Sequence, residues 1–410
     1  MPVLYLFFVI FFSFSSFSQI NEVEKTTNST NSNTSLPVIT NSTNVNAEPS
    51  GDVLLDSLPA NQSQQVSKKQ VNKSKDLKNE VTTGKSILVD DSVSAYEKME
   101  FQFSQVKVQS SSQRDQRNPT LLQQTQMSEI VDYFKKNAPE SFEYHFYKYI
   151  AGNYSLSLID HLFKAEKLQP NNKDVQLQLA AYYLILNDTK NALVYLRKIY
   201  SMNQMENNQL IYAQDLLQSA PENGTLITHG VEDTYSCLYM QMVNHLRSDV
   251  QIVSLELLQS QEYRSQLLSK NYLLPSSLVI DVAYLQSFCS LNERKSLSIS
   301  LTTPKEYFLK IQEKLYIVGL VFEYHSSAFN NFYKNDYLWN EVLKKKISYA
   351  AANETYKPIL SNYLPMLLQL RAFYSAQENV TQLKIIDEVL DKVAKQCDKY
   401  EPVQKIIKVN

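Results

Sequence analysis

The chain has 410 residues, 43% of them hydrophobic, and its 40 basic side chains nearly balance 42 acidic ones. This balance argues against a nucleic-acid-binding protein, which would present a basic face, so no nucleic-acid partner is expected. Only six glycines occur, which disfavours glycine-rich phosphate loops and many-turned β barrels and is typical of a mainly helical protein.

Residues 1–18 predict a signal peptide. Their apolar run is shorter than the roughly 20 residues that span a bilayer, and Ser16 and Ser18 are the small residues that precede a cleavage site. No basic residue opens the run, so an uncleaved anchor is the alternative. We therefore expect export across the inner membrane to the periplasm or another part of the envelope, with no further transmembrane segment.

Residues 19–125 are rich in Asn, Ser, Thr and Gln and lack hydrophobic periodicity. Such a segment cannot bury enough apolar surface to offset the entropy lost on ordering, so it predicts a disordered spacer. The tripeptides Asp-Ser-Leu at 56–58 and Asp-Ser-Val at 91–93 resemble acceptors of periplasmic O-glycosylation, a pattern that also arises often by chance.

Residues 126–206 predict helical hairpins. Two amphipathic stretches meet at an Asn187-Asp188 turn and place the small Ala180 and Ala192 where the helices cross, which resembles a tetratricopeptide repeat. Residues 142–168 predict a first, less regular hairpin.

The first hairpin carries too many aromatic residues for one buried face. Tyr144, Tyr147 and Tyr149 are therefore candidate contacts for a protein or peptide partner, since tyrosine is favoured in recognition. Packing of these rings against a preceding helix near Tyr133 is the alternative.

Residues 207–330 predict an α/β module. Buried-strand patterns at 224–229 and 250–255 flank a helix at 232–247, which makes a βαβ unit with parallel strands. Further helices are expected at 260–269 and 275–289, and strands at 297–301 and 317–324. The expected fold class is α-rich α/β, with tetratricopeptide-like hairpins flanking a small, mostly parallel four-stranded module.

Residues 331–400 predict a C-terminal helical hairpin, and the last ten residues are expected to fray. Aromatic residues between 329 and 339 are assigned mainly to packing between domains. The cysteines Cys237, Cys289 and Cys397 lack Cys-x-x-Cys spacing, and their odd number leaves at least one free thiol. Three buried free thiols are expected, with a Cys237–Cys289 bridge as the alternative.

The segment 221–258 contains Gly-Val-Glu-Asp-Thr-Tyr at 230–235 and Arg-Ser-Asp-Val at 247–250. It resembles the soluble C-terminal region of Bacteroidota membrane proteins of the protein O-mannosyltransferase type, which carries Asn-Gly-Asp-Asn-Asp-Thr-Tyr before a helix and Arg-x-Asp-Val after it. The resemblance covers about residues 210–397. In place of the membrane portion, where the family's sugar-transfer chemistry is expected, this chain has the predicted signal, spacer and hairpins.

The loop of this chain departs from the family pattern at three positions. His229 stands for the first Asn, Val231 for the first Asp and Glu232 for the second Asn. At position 231 a carboxylate is thereby replaced by a bulky apolar side chain, so the resemblance does not carry catalysis to this chain.

The candidate ligand site is the loop formed by His229, Gly230, Glu232, Asp233 and Thr234. This loop and residues 257–261 follow adjacent parallel strands, and open α/β sheets bind ligands at that edge. The N–H groups that start the next helix can hold an anion; the alternative is that Asp233 or Thr234 only caps the helix. His229, Glu232 and Asp233 are also metal-ligand types, but no further ligand is evident, so no metal or cofactor is expected.

No nucleophile with a base and no Gly-x-Ser-x-Gly turn is recognisable, so no catalytic residue is predicted. We therefore expect a non-catalytic scaffold or adaptor of the cell envelope that binds a protein or peptide partner through helical repeats. The alternative is a glycan- or nucleotide-sugar-binding module at the strand ends, and an enzyme with an unrecognised site is a third hypothesis.

Overall fold

The structure is a computed structural model that describes residues 91–201, 207–350 and 357–409. These residues form two compact units. The smaller unit contains residues 91–111 and 119–170, and the larger contains residues 112–118 and the described residues from 171 onward. The predicted signal peptide and residues 19–90 of the predicted spacer lie outside the described residues.

The smaller unit is helical. Its four α-helices are α1 (Asp91–Ser111), α2 (Leu121–Asn137), α3 (Phe142–Ala151) and α4 (Ile159–Leu168). Thr120 begins α2 with a capping box that it shares with Gln123, and Ser141 caps α3 by accepting from the Tyr144 amide. These side chains satisfy backbone N–H groups that have no partner within the helix.

Helix α1 lies inside the segment for which a disordered spacer was predicted. The prediction is wrong for residues 91–125, because α1 is ordered and α2 begins at Leu121. Phe103 and Val106 are buried apolar side chains of α1, and the Phe103 ring stacks on Tyr147 with the centroids 3.9 Å apart. Two apolar positions at helical spacing thus anchor a helix whose other residues are largely polar. The overall polar composition of the segment did not indicate this pair.

The burial of α3 contradicts most of the predicted partner surface. Tyr149 is fully buried and Tyr147 is 8% exposed, while Tyr144 is half-buried. Tyr147 lies between Phe103 of α1 and Phe134 of α2. Tyr147 thus packs against the helix that contains Tyr133, as the alternative expected, and also against Phe103 of α1, which the sequence did not predict. Tyr147 and Tyr149 are not exposed partner contacts.

The larger unit begins with a helical hairpin. Its helices α5 (Lys173–Ile185) and α6 (Thr189–Ser201) meet at the predicted turn, where Asn187 adopts a φ of 57°. Ala180 and Ala192 are fully buried, as their small size at the crossing predicts. Helix α7 (Asn207–Ser219) follows and packs against the α/β module.

The α/β module contains a five-stranded sheet. The strands are β1 (Thr225–Thr228), β2 (Gln251–Ser254), β3 (Leu297–Ser300), β4 (Leu315–Val318) and β5 (Val321–Tyr324). They lie in the order β2-β1-β3-β5-β4. β1 pairs parallel with β2 and β3, whereas β5 pairs antiparallel with β3 and β4. The sheet is therefore mixed, within a fold that is α-rich α/β as expected.

Three helices connect the parallel strands: α8 (Gly230–Asn244), α9 (Gln261–Ser269) and α10 (Val282–Leu291). Strand β1, helix α8 and strand β2 confirm the predicted βαβ unit with parallel strands. The hairpin of α5 and α6 is held to this module by the Tyr235 hydroxyl, which donates to the Leu177 carbonyl at 3.2 Å. Gln266 of α9 donates to the Leu184 carbonyl at 3.1 Å.

The prediction of a four-stranded, mostly parallel sheet is wrong at its last strand. A mostly apolar run at 317–324 predicted one strand, but the chain reverses within it, and Val318 pairs with Val321. Gly319 has a φ of 57°, a conformation that side chains disfavour and that two-residue hairpin turns require. An apolar run contains no period that distinguishes one strand from two short ones.

Two further predictions fail at helix ends. Helix α10 begins at Val282 with Asp281 as its cap, not at Pro275, because the preceding residues form an extended pairing in which the Arg117 amide donates to the Ile280 carbonyl. The last residues are not frayed but form helix α16 (Tyr400–Val409), whose Val403 is fully buried.

The remaining helices pack beside β4 and around a π-helical turn, Leu338–Leu343. They are α11 (Phe332–Tyr337), α12 (Lys344–Ala350), α13 (Lys357–Leu360), α14 (Leu364–Ala376) and α15 (Val380–Gln396). The Asn331 and Asn335 side chains both donate to the Ile317 carbonyl and to Gln369 Oε1, which ties α11 to β4 and α14.

The three cysteines are buried and free, so the alternative Cys237–Cys289 bridge is not formed. None of the described helices combines the length and apolarity that crossing a bilayer requires.

We expect Gly319→Ala to lower the free energy of unfolding by about 2–5 kcal/mol. A positive φ costs a residue with a Cβ about 1–2 kcal/mol, and the added Cβ would collide with the buried Ser219 side chain, which adds about 1–3 kcal/mol of overpacking. Urea denaturation followed by circular dichroism measures the change.

Gly152→Ala is the matched control. Gly152 has an ordinary φ of −77°, and its closest side-chain neighbour is the movable end of Leu158, so we expect a loss below about 1 kcal/mol. Equal losses for the two variants would contradict the role assigned to the turn at Gly319.

Candidate functional site

Three parallel strands end at the same edge of the sheet, and each ends on a small hydroxyl residue. Thr228 ends β1, Ser254 ends β2 and Ser300 ends β3. Thr228 is in register with Ser254, and all three residues are buried. This edge is the place where open α/β sheets bind ligands.

The first contact between this edge and α8 is a chain of hydroxyl groups. Thr234 Oγ1 lies 2.8 Å from Thr228 Oγ1 and donates to Ser254 Oγ at 3.3 Å. Ser254 Oγ in turn accepts from the Leu257 amide at 3.3 Å. Thr234 therefore ties α8 to the ends of β1 and β2, and it does not cap its own helix.

The second contact is a buried carboxylate. Asp233 Oδ2 accepts from Ser300 Oγ at 2.6 Å and from Thr302 Oγ1 at 2.5 Å. Burial raises the pKa of Asp233 to about 6, although these two hydrogen bonds act in the opposite direction. Asp233 thus joins α8 to the end of β3, and it too makes no cap.

His229 and Gly230 form the turn from β1 into α8. His229 occupies the N-cap position but makes no side-chain cap, and Gly230 has a φ of 75°. Only glycine adopts that conformation without strain, which explains its place in the motif. His229 is 5% exposed, so its ring is directed into the protein.

The ring of His229 meets a residue that sequence reasoning did not select. Arg117 Nη1 lies 2.7 Å from His229 Nε2, although the two residues are 112 positions apart. Arg117 belongs to residues 112–118, which pair with the loop before α10 through Ile280 and Asp281. The Arg117 guanidinium also lies 5.7 Å from the centre of the Tyr307 ring. A polar, non-periodic segment gave no signal for this contact.

Several polar atoms of this pair have no hydrogen-bond partner within the protein. They are Arg117 Nε, Arg117 Nη2 and His229 Nδ1. Both residues are more than nine-tenths buried, and an unmet donor at such a depth costs about 1–3 kcal/mol. Native proteins leave few such groups, and each one calls for an explanation such as a ligand or an ordered water molecule.

Glu256 supplies a countercharge at this edge. Its Oε1 atom lies 3.8 Å from Arg117 Nη1 and 3.8 Å from His229 Nε2, which is an ion-pair distance but too long for a hydrogen bond. Nearby, Arg114 Nε donates to both carboxylate oxygens of Glu306 at 2.9 Å. Burial, and then the charges of Arg117 and Arg114, hold the pKa of His229 well below its usual range, so the ring is neutral at pH 7.

Three of the predicted ligand-binding side chains therefore meet at one edge, namely those of His229, Asp233 and Thr234. The side chain of Glu232 lies outside the described residues. Asp233 and Thr234 are directed to strand ends, and His229 to Arg117. Within the described part of the chain, no group of three or more His, Cys, Asp or Glu side chains is arranged to hold a metal ion.

The Arg-Ser-Asp sequence at 247–249 has a structural role behind the site. The Arg247 guanidinium pairs with Asp249 at 2.9 Å. It also donates to three carbonyl groups at the end of α7 and in the turn that follows it, those of Leu217, Ala220 and Pro221. This interaction lowers the pKa of Asp249 to about 2. Arg247 thus fixes the entry of the chain into β1.

Residues 210–396 match the family model described as TMEM260-associated domain 2. The match covers the α/β module and most of the helices that follow, and it fits the resemblance to the soluble region of O-mannosyltransferase-like membrane proteins. No curated protein and no solved structure matches the chain.

The raised pKa of Asp233 predicts a pH-dependent stability. The folded protein holds this proton more tightly than the unfolded chain, so the stability it contributes is present below pH 3.8 and is lost as the pH rises through about 6. The full effect is about 3 kcal/mol, of which about 2 kcal/mol falls between about pH 4.5 and about pH 7.5. Over that range, Asp233→Asn should gain about 2 kcal/mol relative to wild type in urea denaturation.

Asp249→Asn is the control for this measurement. The pKa of Asp249 is lowered to about 2, so its folded and unfolded forms are both ionised above about pH 4.5. Its stability difference from wild type should therefore stay constant over the same range. A constant difference for Asp233→Asn as well would contradict the buried, weakly acidic carboxyl group.

Proposed function

We propose that this chain is a non-catalytic scaffold or adaptor of a bacterial cell envelope that binds a protein or peptide partner through its helices. The observation that carries the proposal is a pair of exposed tyrosines on α11. Tyr333 is 65% exposed and Tyr337 is 63% exposed. Large aromatic side chains at the surface are the residues that most often dominate binding energy in protein interfaces.

The two tyrosines share one face of α11, since they are four residues apart. The opposite face is held by Asn331 and Asn335, which are buried against β4 and α14. Phe373 of α14 extends the exposed side, with its ring centre 5.7 Å from that of Tyr333. We call Tyr333, Tyr337 and Phe373 the aromatic face. A rigid helix that presents such rings requires little ordering on binding.

The helical hairpins support the same proposal. Ala180 and Ala192 lie buried where α5 and α6 cross, and α14 and α15 pack as a second hairpin. We propose that these hairpins are tetratricopeptide-type units, whose role in other proteins is to stack and present contact surface. The partner surface first expected on α3 is thereby moved to the aromatic face.

The proposed location follows from the sequence alone. Residues 1–18 would direct export across the inner membrane, and the polar segment up to residue 90 would act as a spacer within the envelope. We also propose that residues 210–396, which match the TMEM260-associated domain 2 model, serve a glycosylation-related membrane system as a separate module.

Changing both exposed tyrosines should abolish partner capture without unfolding the protein. We expect Tyr333→Ser/Tyr337→Ser to recover at least tenfold less of the partner that co-purifies with the full chain from its native host, because two interface tyrosines contribute about 1–2 kcal/mol each. Stability should change by less than about 1 kcal/mol, since both side chains are largely exposed.

Leu121→Ser/Leu122→Ser is the matched control, because these side chains are 80% and 68% exposed on α2. This variant should retain the partner. Retention by both variants, or loss only in the leucine variant, would refute the aromatic face as the binding surface.

A second candidate function is a ligand-binding module at the strand ends. The observation that favours it is the meeting of His229, Arg117 and Glu256 at the carboxyl edge of β1 and β2. A glycan or a nucleotide sugar is the expected class of ligand, and a thermal-shift screen of both classes tests it.

A further inference from the structure

The hydrogen bond between Arg117 and His229 determines which nitrogen of the ring carries the proton. A guanidinium group can only donate, so His229 Nε2 accepts from Arg117 Nη1 at 2.7 Å. The ring is neutral, because burial and the neighbouring arginines lower its pKa. The single ring proton therefore lies on Nδ1, and His229 Nδ1 is a donor.

The unmet atoms of this pair are consequently all donors. Arg117 Nε and Nη2 carry protons, as does His229 Nδ1, and none of the three has an acceptor within the protein. The carboxylate of Glu256 does not fill this role, since its Oε1 atom stays 3.8 Å from the nearest nitrogens of Arg117 and His229. Because the nearest carboxylate oxygen lies beyond hydrogen-bond distance of these donors, a bound group that carries several acceptor oxygens would satisfy them.

Two electrostatic features determine the charge of that partner. His229 is the N-cap residue of α8, a helix of 15 residues, and the N-terminus of a helix carries about half a positive charge. Arg117 adds a full charge with a planar fork that matches the spacing of phosphate oxygens. Both features favour an anion over a neutral hydroxyl group.

We propose that Arg117 and His229, at the N-terminus of α8, form a binding site for a phosphate group. The inference rests on the second candidate function and chooses between its two expected classes of ligand. A nucleotide sugar carries phosphate, whereas a neutral glycan does not. A phosphate offers more acceptor oxygens than a carboxylate, in keeping with donors on two side chains and a helix end. Glu256 Oε1 lies 3.8 Å from Arg117 Nη1 and partly balances its charge.

The proposal gives Arg117 and Glu256 opposite roles. Arg117→Met removes the donors and the charge but keeps an apolar stem of similar length, so affinity for phosphate should fall at least tenfold, the loss expected for one charge-assisted hydrogen bond. Glu256→Gln removes a competing negative charge and should raise the affinity severalfold. A residue that only stabilised the fold would not produce this pair of opposite changes.

The experiment is isothermal titration calorimetry of the full chain with inorganic phosphate, uridine diphosphate glucose and glucose. We expect both phosphate-bearing probes to bind and glucose not to bind. Binding of inorganic phosphate alone would place a free phosphate in the site, whereas tighter binding of the nucleotide sugar identifies a phosphate within a larger ligand; both support the phosphate site.

Three results of these titrations would overturn the proposal. Binding of glucose without either phosphate probe would keep the second candidate function and reject the phosphate site. Absence of binding by all three probes would count against both. Unchanged phosphate affinity in Arg117→Met would likewise reject the assignment of this residue.

Arg264→Met is the matched control, because Arg264 of the neighbouring α9 is half-buried and donates to the carbonyl groups of Leu258 and Gln259. Its phosphate affinity should stay within about twofold of wild type. If Arg117→Met does not fold by circular dichroism, the ¹⁵N resonance of His229 Nδ1 in the wild-type chain provides the test. Phosphate should shift this resonance, and sodium chloride of equal ionic strength should not; an unshifted resonance would reject the site.

Discussion

Hydrogen bonds between the first turns of α8 and the ends of three strands hold the edge of the sheet together. Thr234 connects to β1 and β2, and Asp233 connects to β3 through Ser300 and beyond it to Thr302. All of these groups are buried or nearly so, and a buried polar group without a partner is costly. This requirement fixes the position of α8, and with it the position of His229 at the start of the helix.

The edge is completed by a part of the chain that lies far away in sequence. Residues 112–118 pair with the loop before α10 and bring Arg117 to the ring of His229. This segment lies outside residues 210–396, which match the family model. The candidate site therefore depends on a contact between the matched region and a residue that the match does not include.

Whether an aromatic side chain on a helix is buried depends on the elements that pack against that helix. Tyr147 of α3 and Tyr333 of α11 are both aromatic residues on helices with polar neighbours. Tyr147 is covered by Phe103 of α1, whereas Tyr333 stays exposed because Asn331 and Asn335 hold the other side of its helix against β4. The composition of a helix indicates that some rings are exposed, but it does not indicate which ones.

Local pattern alone determined much of this protein. The spacing of apolar residues predicted α5, α6, α9, β1, β2 and the parallel βαβ unit, and the position of Asp233 and Thr234 after a strand predicted a polar edge. Periodicity and strand order depend on residues close in sequence, so they can be read from it. The reversal at Gly319 and the start of α10 at Val282 could not be predicted in this way. Neither an apolar run nor an extended segment paired with a distant one shows a hydrophobic period that marks where an element ends.

Only the tertiary structure decided that α1 is ordered, that Tyr147 is buried and that Arg117 meets His229. Each of these depends on a contact between segments far apart in the chain, whose energy comes from burial and from satisfied polar groups in three dimensions. The sequence of a polar stretch such as residues 112–118 does not predict such a contact. The contact stabilises the protein only when the distant partner residue is in place.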